Sequence, residues 1–338
     1  MHLTLLVSDA FLPEEIAPGF AAPRLPGLET LIARGSSKRT EGCFLEEWLL
    51  RTWGVHESSV APLTLRADGI DPAADTWMRG DPVHLRIERD HIQLFDHYAF
   101  KLDQSEADVL VSALNRHFAA DGIAFQAPRP TRWYVRIRAA EKPDTTPLWR
   151  VARHSVFERL PVSKGTINWK SVANEIQMLF FEHPVNQARE ARGEVAISGV
   201  WFWGAGELPE STSAPYSQVL STLPLARGLA LYGGIAPGPV AHDFAALGDN
   251  PKDGTLVVLH QLTRCVRAND YAAWPSALAA LEHDWFAPAL TALKAGRLSG
   301  VRVCLPSERA TLDCTARRSD LYKFWRTRRP LHCYASHA

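Results

Sequence analysis

The stretch HLTLLVSDAFLPEEIAPGFAAPRLPGLETLIARG, residues 2–35, reads as a strand, a loop and a helix in that order. His2 to Val7 is a short, unbroken apolar run, the signature of a strand covered on both faces inside a parallel sheet. A proline-marked loop ends near Pro26. From Gly27 onward Leu28, Leu31 and Ile32 recur on one helical face, and Gly35 stands as the C-terminal stop. Ser8, Asp9 and Glu15 follow the apolar run at once and no basic segment precedes it, so a first strand is expected rather than a signal peptide.

The same alternation returns later in the chain. Phe44 to Trp53 reads as a second helix with Leu45, Trp48, Leu49 and Trp53 apolar, ended by Gly54. AISGVWFWG (196–204), TLVVLHQL (255–262) and GVRVCLP (300–306) read as further buried strands, and LARGLALYGG (225–234) as a helix or strand. Ile167 to Phe181 and WPSALAALEHDWFAPALTAL (274–293) read as helices. Between them the texture changes. VHLRIERDHIQLFD (83–96) reads as two strands turning at Arg89-Asp90, SEADVLVSALNRHFAADG (105–122) as a helix capped by Ser105, and RWYVRIRA (132–139) as another alternating strand. The expected fold class is α/β: a parallel-rich central sheet flanked by helices, interrupted by a small α+β insert. The expected boundaries are 1–58 and 150–338 for the discontinuous core and 59–149 for the insert.

Composition limits the partners. The 338 residues carry 37 Lys+Arg and 37 Asp+Glu, a formal net charge of zero, so no broad electrostatic footprint for nucleic acid or an anionic membrane exists. No run of about 18 apolar residues occurs, so no membrane span is expected. The five cysteines, Cys43, Cys265, Cys304, Cys314 and Cys333, contain no C-x-x-C pair, which suits a reduced cytoplasmic protein.

HPVNQAREARGEVAISGVWFWGAG, His183 to Gly206, resembles the Pro-x-Asn, Arg, Gly, Trp-x-Trp-Gly-x-Gly stretch of cofactor-independent phosphoglycerate mutases, in particular their archaeal-type branch of the alkaline-phosphatase superfamily. LPGLETLIARG (25–35), DTWMRGDPVHLRIERDHIQLFD (75–96) and RWYVRIR (132–138) resemble, in the same order, the first helix, the insert hairpin and the later Arg-led strand of those enzymes. More closely, the chain resembles the proteobacterial proteins labelled regulator-of-pathogenicity-factors, E-type regulatory protein. The resemblance to the mutases implies a two-metal phosphoryl-transfer site with an N-terminal Asp, a nucleophilic Ser, and C-terminal Asp and His ligands.

Carried over residue by residue, Asp9 falls where the first metal Asp belongs, followed by Ala10 in place of the usual Gly. Leu45 falls on the nucleophile position, and Leu cannot attack phosphorus; Ser36, Ser37 or Cys43 reach it only in a shifted register. Pro306 and Ser307 stand where a strand should end in Asp-His ligands, which leaves Asp9, His260 and Asp270 as the metal candidates. Arg79 and Arg132 match insert-domain arginines that read the anionic substrate, a task suited to the guanidinium fork. Asn186 and Arg189 complete the ligand-binding candidates. For each of these a structural role stands beside the functional one: snorkelling on a strand for the arginines, a pinned loop for Asn186 and Arg189, a core imidazole for His260.

The expected function is accordingly a catalytically degenerate phosphoglycerate mutase-like protein, a cytoplasmic regulatory or ligand-binding protein for a phosphorylated or carboxylated small molecule, with no cofactor. The alternative is an active Mn²⁺- or Mg²⁺-dependent phosphatase or mutase with a rewired nucleophile. A possible protein partner is assigned to ARRSDLYKFWRTRRPLH, Ala316 to His332, where basic and aromatic residues interleave on an expected C-terminal helix. Nucleic acid is not expected.

Overall fold

A computed structural model describes residues 1–13, 15–87, 92–138, 141–152, 156, 159–209, 214–248 and 252–335. The chain divides into two units, Met1–Gly54 with Thr212–Ala338, and Val55–Ser211. The first opens with β1 (His2–Val7), α1 (Pro26–Arg34), β2 (Ser36–Glu41) and α2 (Leu45–Trp53). The second holds α3 (Val60–Ala67), β3 (Thr76–Ile87), β4 (Ile92–Phe95), α4 (Gln104–His117), β5 (Ala124–Arg129), β6 (Arg132–Ile137), α5 (Leu148–Val151), α6 (Trp169–Phe181), α7 (Pro184–Ala191) and β7 (Gly199–Gly206). The first unit resumes with β8 (Gln218–Leu220), α8 (Pro224–Tyr232), β9 (Thr255–Leu259), α9 (Gln261–Arg267), α10 (Trp274–Leu281), α11 (Ala287–Lys294), β10 (Gly300–Leu305) and β11 (Ala310–Arg317).

The first unit is the expected α/β core. Its sheet runs β2-β11-β10-β1-β9-β8, with β10, β1, β9 and β8 mutually parallel. Leu3, Leu5 and Val7 of β1 point into one apolar layer with Leu28, Leu31 and Ile32 of α1, Leu278 of α10 and Leu290 of α11. Arg302, on the opposite face of the sheet, lies 5.7 Å from the Trp48 ring of α2, and α2 packs with α8 there. Helices therefore cover both faces, which explains the unbroken apolar run of β1. A π-turn at Glu282–Phe286 joins α10 to α11, and the Glu282 carboxylate accepts from the N–H groups of Gly27 (2.6 Å) and Leu28 (3.2 Å). Those are orphan donors of the first turn of α1. A Cβ on Gly27 would come within 2.8 Å of the Ala287 backbone, so that approach needs glycine.

Two strands at one end of the sheet have no counterpart in the sequence reading. β11 runs antiparallel to β10, and β2 antiparallel to β11. β2, SSKRTE, is almost wholly exposed, with no apolar alternation to mark it; Lys38 and Arg39 are what an edge strand carries against further pairing.

The second unit is an antiparallel sheet, β4-β3-β6-β5, with β7 pairing β3 from Gly199–Val83 to Gly206–Trp77. The apolar face of this sheet packs on α4 and α6 through Leu110, Leu114, Trp169, Ile176 and Phe180, while Ala61 and Leu65 of α3 meet Trp77 and Tyr134. The expected boundary near 150 is thereby corrected to 211: α6, α7 and β7 belong to the insert. β7 is buried along its whole length because the helices cover both its faces, and a one-dimensional pattern cannot distinguish that from a parallel core strand.

Smaller corrections follow from local chemistry. Asp103 rather than Ser105 caps α4, in a reciprocal pair with Glu106. Arg89-Asp90, the expected hairpin turn, lies outside the described residues. Ala316 to His332 is no α-helix: β11 continues to Arg317, and 3-10 turns at Arg318–Tyr322 and Leu331–Tyr334 follow. Among the described residues no helix is long and apolar enough to cross a membrane.

Candidate functional site: the crevice beyond β1, β8 and β9

Ligands of open α/β sheets sit beyond the carboxyl ends of the parallel strands. Here Ser8 and Asp9 follow directly on the end of β1 at Val7. Asp9 has φ of 54°, in the left-handed region that Asp tolerates better than most side chains. The Trp274 indole N–H donates to the Asp9 carbonyl at 2.9 Å, and the Thr263 hydroxyl donates to its carboxylate at 2.6 Å. With that single proton given to Asp9, Ser8, 2.6 Å from Thr263, must be the donor to the Thr263 oxygen. Ser8, Thr263 and Asp9 thus form one relay from β1 to α9.

Beside it, His260 at the end of β9 lies 2.9 Å, through Nε2, from the Thr222 hydroxyl just past β8. Glu46, in the first turn of α2, lies 3.7 Å from Arg267 of α9, both largely buried. Burial pushes the Glu46 carboxyl up; the Arg267 charge opposes this, and the nearby Asp9 and Glu47 carboxylates add to it. Asp9, Glu46 and Arg267 are therefore electrostatic neighbours. Asp270 is a turn residue whose carboxylate accepts the Ala273 N–H at 3.3 Å.

Among the described residues no three His, Cys, Asp or Glu side chains gather as a metal-holding group. Asp9, His260 and Asp270 each have a separate hydrogen-bonding task, so the donor set does not fit the two divalent ions that the resemblance implies. The nucleophile position is likewise unsuited. Leu45 is buried at the start of α2. Cys43 is buried 3.1 Å from Thr311, and burial raises its thiol above the ordinary value, which favours the protonated, poorly nucleophilic form. Ser36 and Ser37 lie on the edge strand β2. Ser307 spends its hydroxyl on the Ala310 carbonyl in the β10–β11 turn.

The insert candidates are all internally engaged. Arg79 is 7% exposed, grips Asp81 through Nε and Nη2, and lies 4.9 Å and 5.2 Å from the Trp203 and Tyr134 rings. Arg132 grips Asp68 with Nε at 2.6 Å and with Nη2, and Tyr134 adds its hydroxyl at 2.7 Å. Asn186 bonds the carbonyls of Phe180 and Ile197 and accepts the Ile197 N–H. Arg189, 1% exposed, donates to Glu106, Val195 and Lys101. Asn186 and Arg189 thus tie their segment to neighbouring carbonyls and to Glu106, while Arg79 and Arg132, rather than snorkelling, each grip a buried carboxylate, so the guanidiniums expected to read an anion already have carboxylates.

Sequence reading passed over Asp68, Asp81, Glu46 and Arg267. Asp81 was accessible: residues two apart on a strand share a face, so Arg79-Gly-Asp81 encodes its own pair. Asp68 and Glu46 had no such signal, because their partners come from 64 residues away in one case and from α9 in the other.

Asp68 also sets a pH response. Burial alone pushes its carboxyl up, but the Arg132 and Tyr134 hydrogen bonds and the Arg132 and Arg79 charges outweigh burial and hold it below the ordinary carboxylate value. A depressed folded value means stability that is present above about pH 4 and is lost as pH falls through that depressed value. The wild type is expected to lose urea resistance faster than Asp68→Asn on acidification below about pH 4, and parallel curves for the two proteins would contradict this.

No family model matches the chain. A curated protein described as a probable 2,3-bisphosphoglycerate-independent phosphoglycerate mutase of Geobacter sulfurreducens is 24% identical over 182 residues, 52% of this chain and 46% of that protein. The match thus spans about half the length of the curated relative. A solved structure titled cofactor-independent phosphoglycerate mutase from Thermoplasma acidophilum covers 100% of this chain and 95% of that one at 11% identity, with a TM-score of 0.47. The PH0037 protein from Pyrococcus horikoshii covers 94% of this chain and 87% of that one at 13% identity, with a TM-score of 0.52, a likeness of fold. The chain carries a phosphoglycerate mutase-like resemblance in its sequence and a mixed α/β fold with a parallel-rich sheet.

Proposed function

We propose that this protein is a catalytically degenerate relative of the cofactor-independent phosphoglycerate mutases and acts as a regulatory, ligand-binding protein. The observation that carries the reading is the start of α2. There, buried Leu45 takes the place of a nucleophile, and Glu46 lies against Arg267 beside Asp9. Without a hydroxyl or thiolate at that point no covalent phosphoryl intermediate is expected, and without clustered ligands among the described residues no metal pair is held to charge a nucleophile. The crevice still carries polar groups, each now holding a partner of its own, that an anionic ligand would draw away to bind: the Thr222 and Thr263 hydroxyls, the His260 imidazole and the Arg267 guanidinium.

A phosphorylated or carboxylated small molecule fits this set, because its anionic group competes with the Glu46 carboxylate for Arg267. A reducing compartment, the cytoplasm, suits the four buried free thiols Cys43, Cys265, Cys304 and Cys314.

The test is metal content of the purified chain, read with conversion of 3-phosphoglycerate and hydrolysis of an aryl phosphate in added Mn²⁺ or Mg²⁺. We expect no stoichiometric metal, no turnover, and a 3-phosphoglycerate-dependent rise in melting temperature that Arg267→Gln removes. Stoichiometric metal with turnover abolished by Asp9→Ala would overturn the reading in favour of a rewired enzyme.

A further inference from the structure

Two exposed apolar patches of opposite charge lie on the described surface. One follows β11. Tyr322, Phe324 and Trp325 are 72%, 77% and 66% exposed, and the Phe324 and Trp325 rings meet edge to face at 5.4 Å and 79°. Around them stand Arg317, Arg318, Lys323, Arg326, Arg328 and Arg329, against the single acid Asp320. Asp320 is already taken by Lys323 at 2.7 Å and by the Arg317 N–H at 2.9 Å, and Arg326 ties the segment to the Gly35 carbonyl at 3.0 Å. The segment is anchored while its aromatic side chains face water.

The other patch is the outward face of α6. Met178 and Phe181, three residues apart, are 74% and 84% exposed, whereas Ile176 and Phe180 of the same helix are fully buried. Glu175 and Glu182, both exposed, share that outward face by helical spacing, and Glu175 lies 2.9 Å from the half-exposed His117 of α4, from which an arginine would have to draw it. Single exposed apolar side chains are ordinary, but these two groups contain five of the six most exposed large apolar side chains among the described residues, Ile87 being the other, and the two groups differ in the sign of their flanking charge.

We propose that the two patches are complementary halves of a contact between copies of this chain. The basic aromatic turn after β11 of one copy docks on the acidic apolar face of α6 in a second copy. Phe324 and Trp325 cover Met178 and Phe181, and arginines of the turn pair with Glu175 and Glu182. A chain of zero net charge suits self-recognition, because the cationic excess of one patch meets a complementary anionic face on an identical molecule. The ring geometry selects protein over nucleic acid. Two rings at 79° form a notch for a side chain, not the successive parallel faces on which bases stack. Trp and Arg are also the residue types that dominate protein contact energies. Self-association of this kind is independent of whether the crevice turns anything over.

Sedimentation velocity of the full chain from about 1 to 100 µM tests the contact. The expected result is a mass that rises above 37.6 kDa as concentration increases. Trp325→Ser should weaken association about 10-fold or more. Arg328→Glu with Arg329→Glu, and separately Glu175→Lys with Glu182→Lys, should each abolish it, and a mixture of the two charge-reversed proteins should associate again. A chain that stays monomeric throughout, association indifferent to either charge reversal, or a mixture that fails to associate would each overturn the proposal. So would a monomer that binds an oligothymidylate through the turn, which assigns the patch to nucleic acid instead.

Discussion

Asp81→Ala is expected to destabilise the Val55–Ser211 unit by about 3–5 kcal/mol, the cost of leaving a buried charge without its partner. Asp81 is 2% exposed and accepts from Arg79 through both oxygens, from the Trp203 indole at 2.8 Å and from the Trp133 backbone at 3.3 Å. Removing it strands a guanidinium between two aromatic rings and orphans an indole N–H in the same step. The reading is a lower urea midpoint together with loss of hydrogen-exchange protection over β3, β6 and β7. Arg79→Met combined with Asp81→Leu should recover much of the loss, because it removes both charges and keeps the volume. A single variant no worse than a surface substitution would show that Arg79 is not held as the geometry indicates.

Arg189→Ala comes next, with an expected loss of about 2–4 kcal/mol. The side chain links α7 to the Val195 carbonyl at 2.9 Å, to Glu106 at the start of α4 at 2.6 Å and to the Lys101 carbonyl at 2.7 Å. Glu106 keeps Arg192 as a second partner at 2.6 Å, so the loss is smaller than at Asp81. Lysine offers one compact ammonium where three divergent acceptors need a planar fork, and Arg189→Lys should therefore recover less than half of the stability measured by urea unfolding. Full recovery by lysine would mean that charge alone matters there.

Arg79, Arg132, Asn186 and Arg189 share one lesson. Their residue types and order carry the phosphoglycerate mutase-like resemblance, but a resemblance says which residues stand where, not what each one touches. Arg79 meets an aspartate two residues away and Arg132 one 64 residues away. The first pairing is written in strand periodicity; the second depends on how α3 closes against β6. The same holds in the crevice, where Asp9 follows directly from its place after a buried strand, while its donor Thr263 lies 254 residues on.

The linear pattern was sufficient for the buried strands β1, β9 and β10, for the helices α1, α2, α4 and α6, and for the helical run 274–293, though not for the π-turn that divides it into α10 and α11, because burial on one face or two imposes a period on neighbouring residues. Partnership between strands imposes none. That β7 joins β3 rather than the parallel sheet, that an exposed SSKRTE forms an edge strand, and that the arginines of the insert meet carboxylates of their own unit are outcomes of which surfaces meet once the chain has folded. Those meetings are set by packing and by the cost of burying a charge alone, and neither quantity is a property of a stretch of sequence read by its own period.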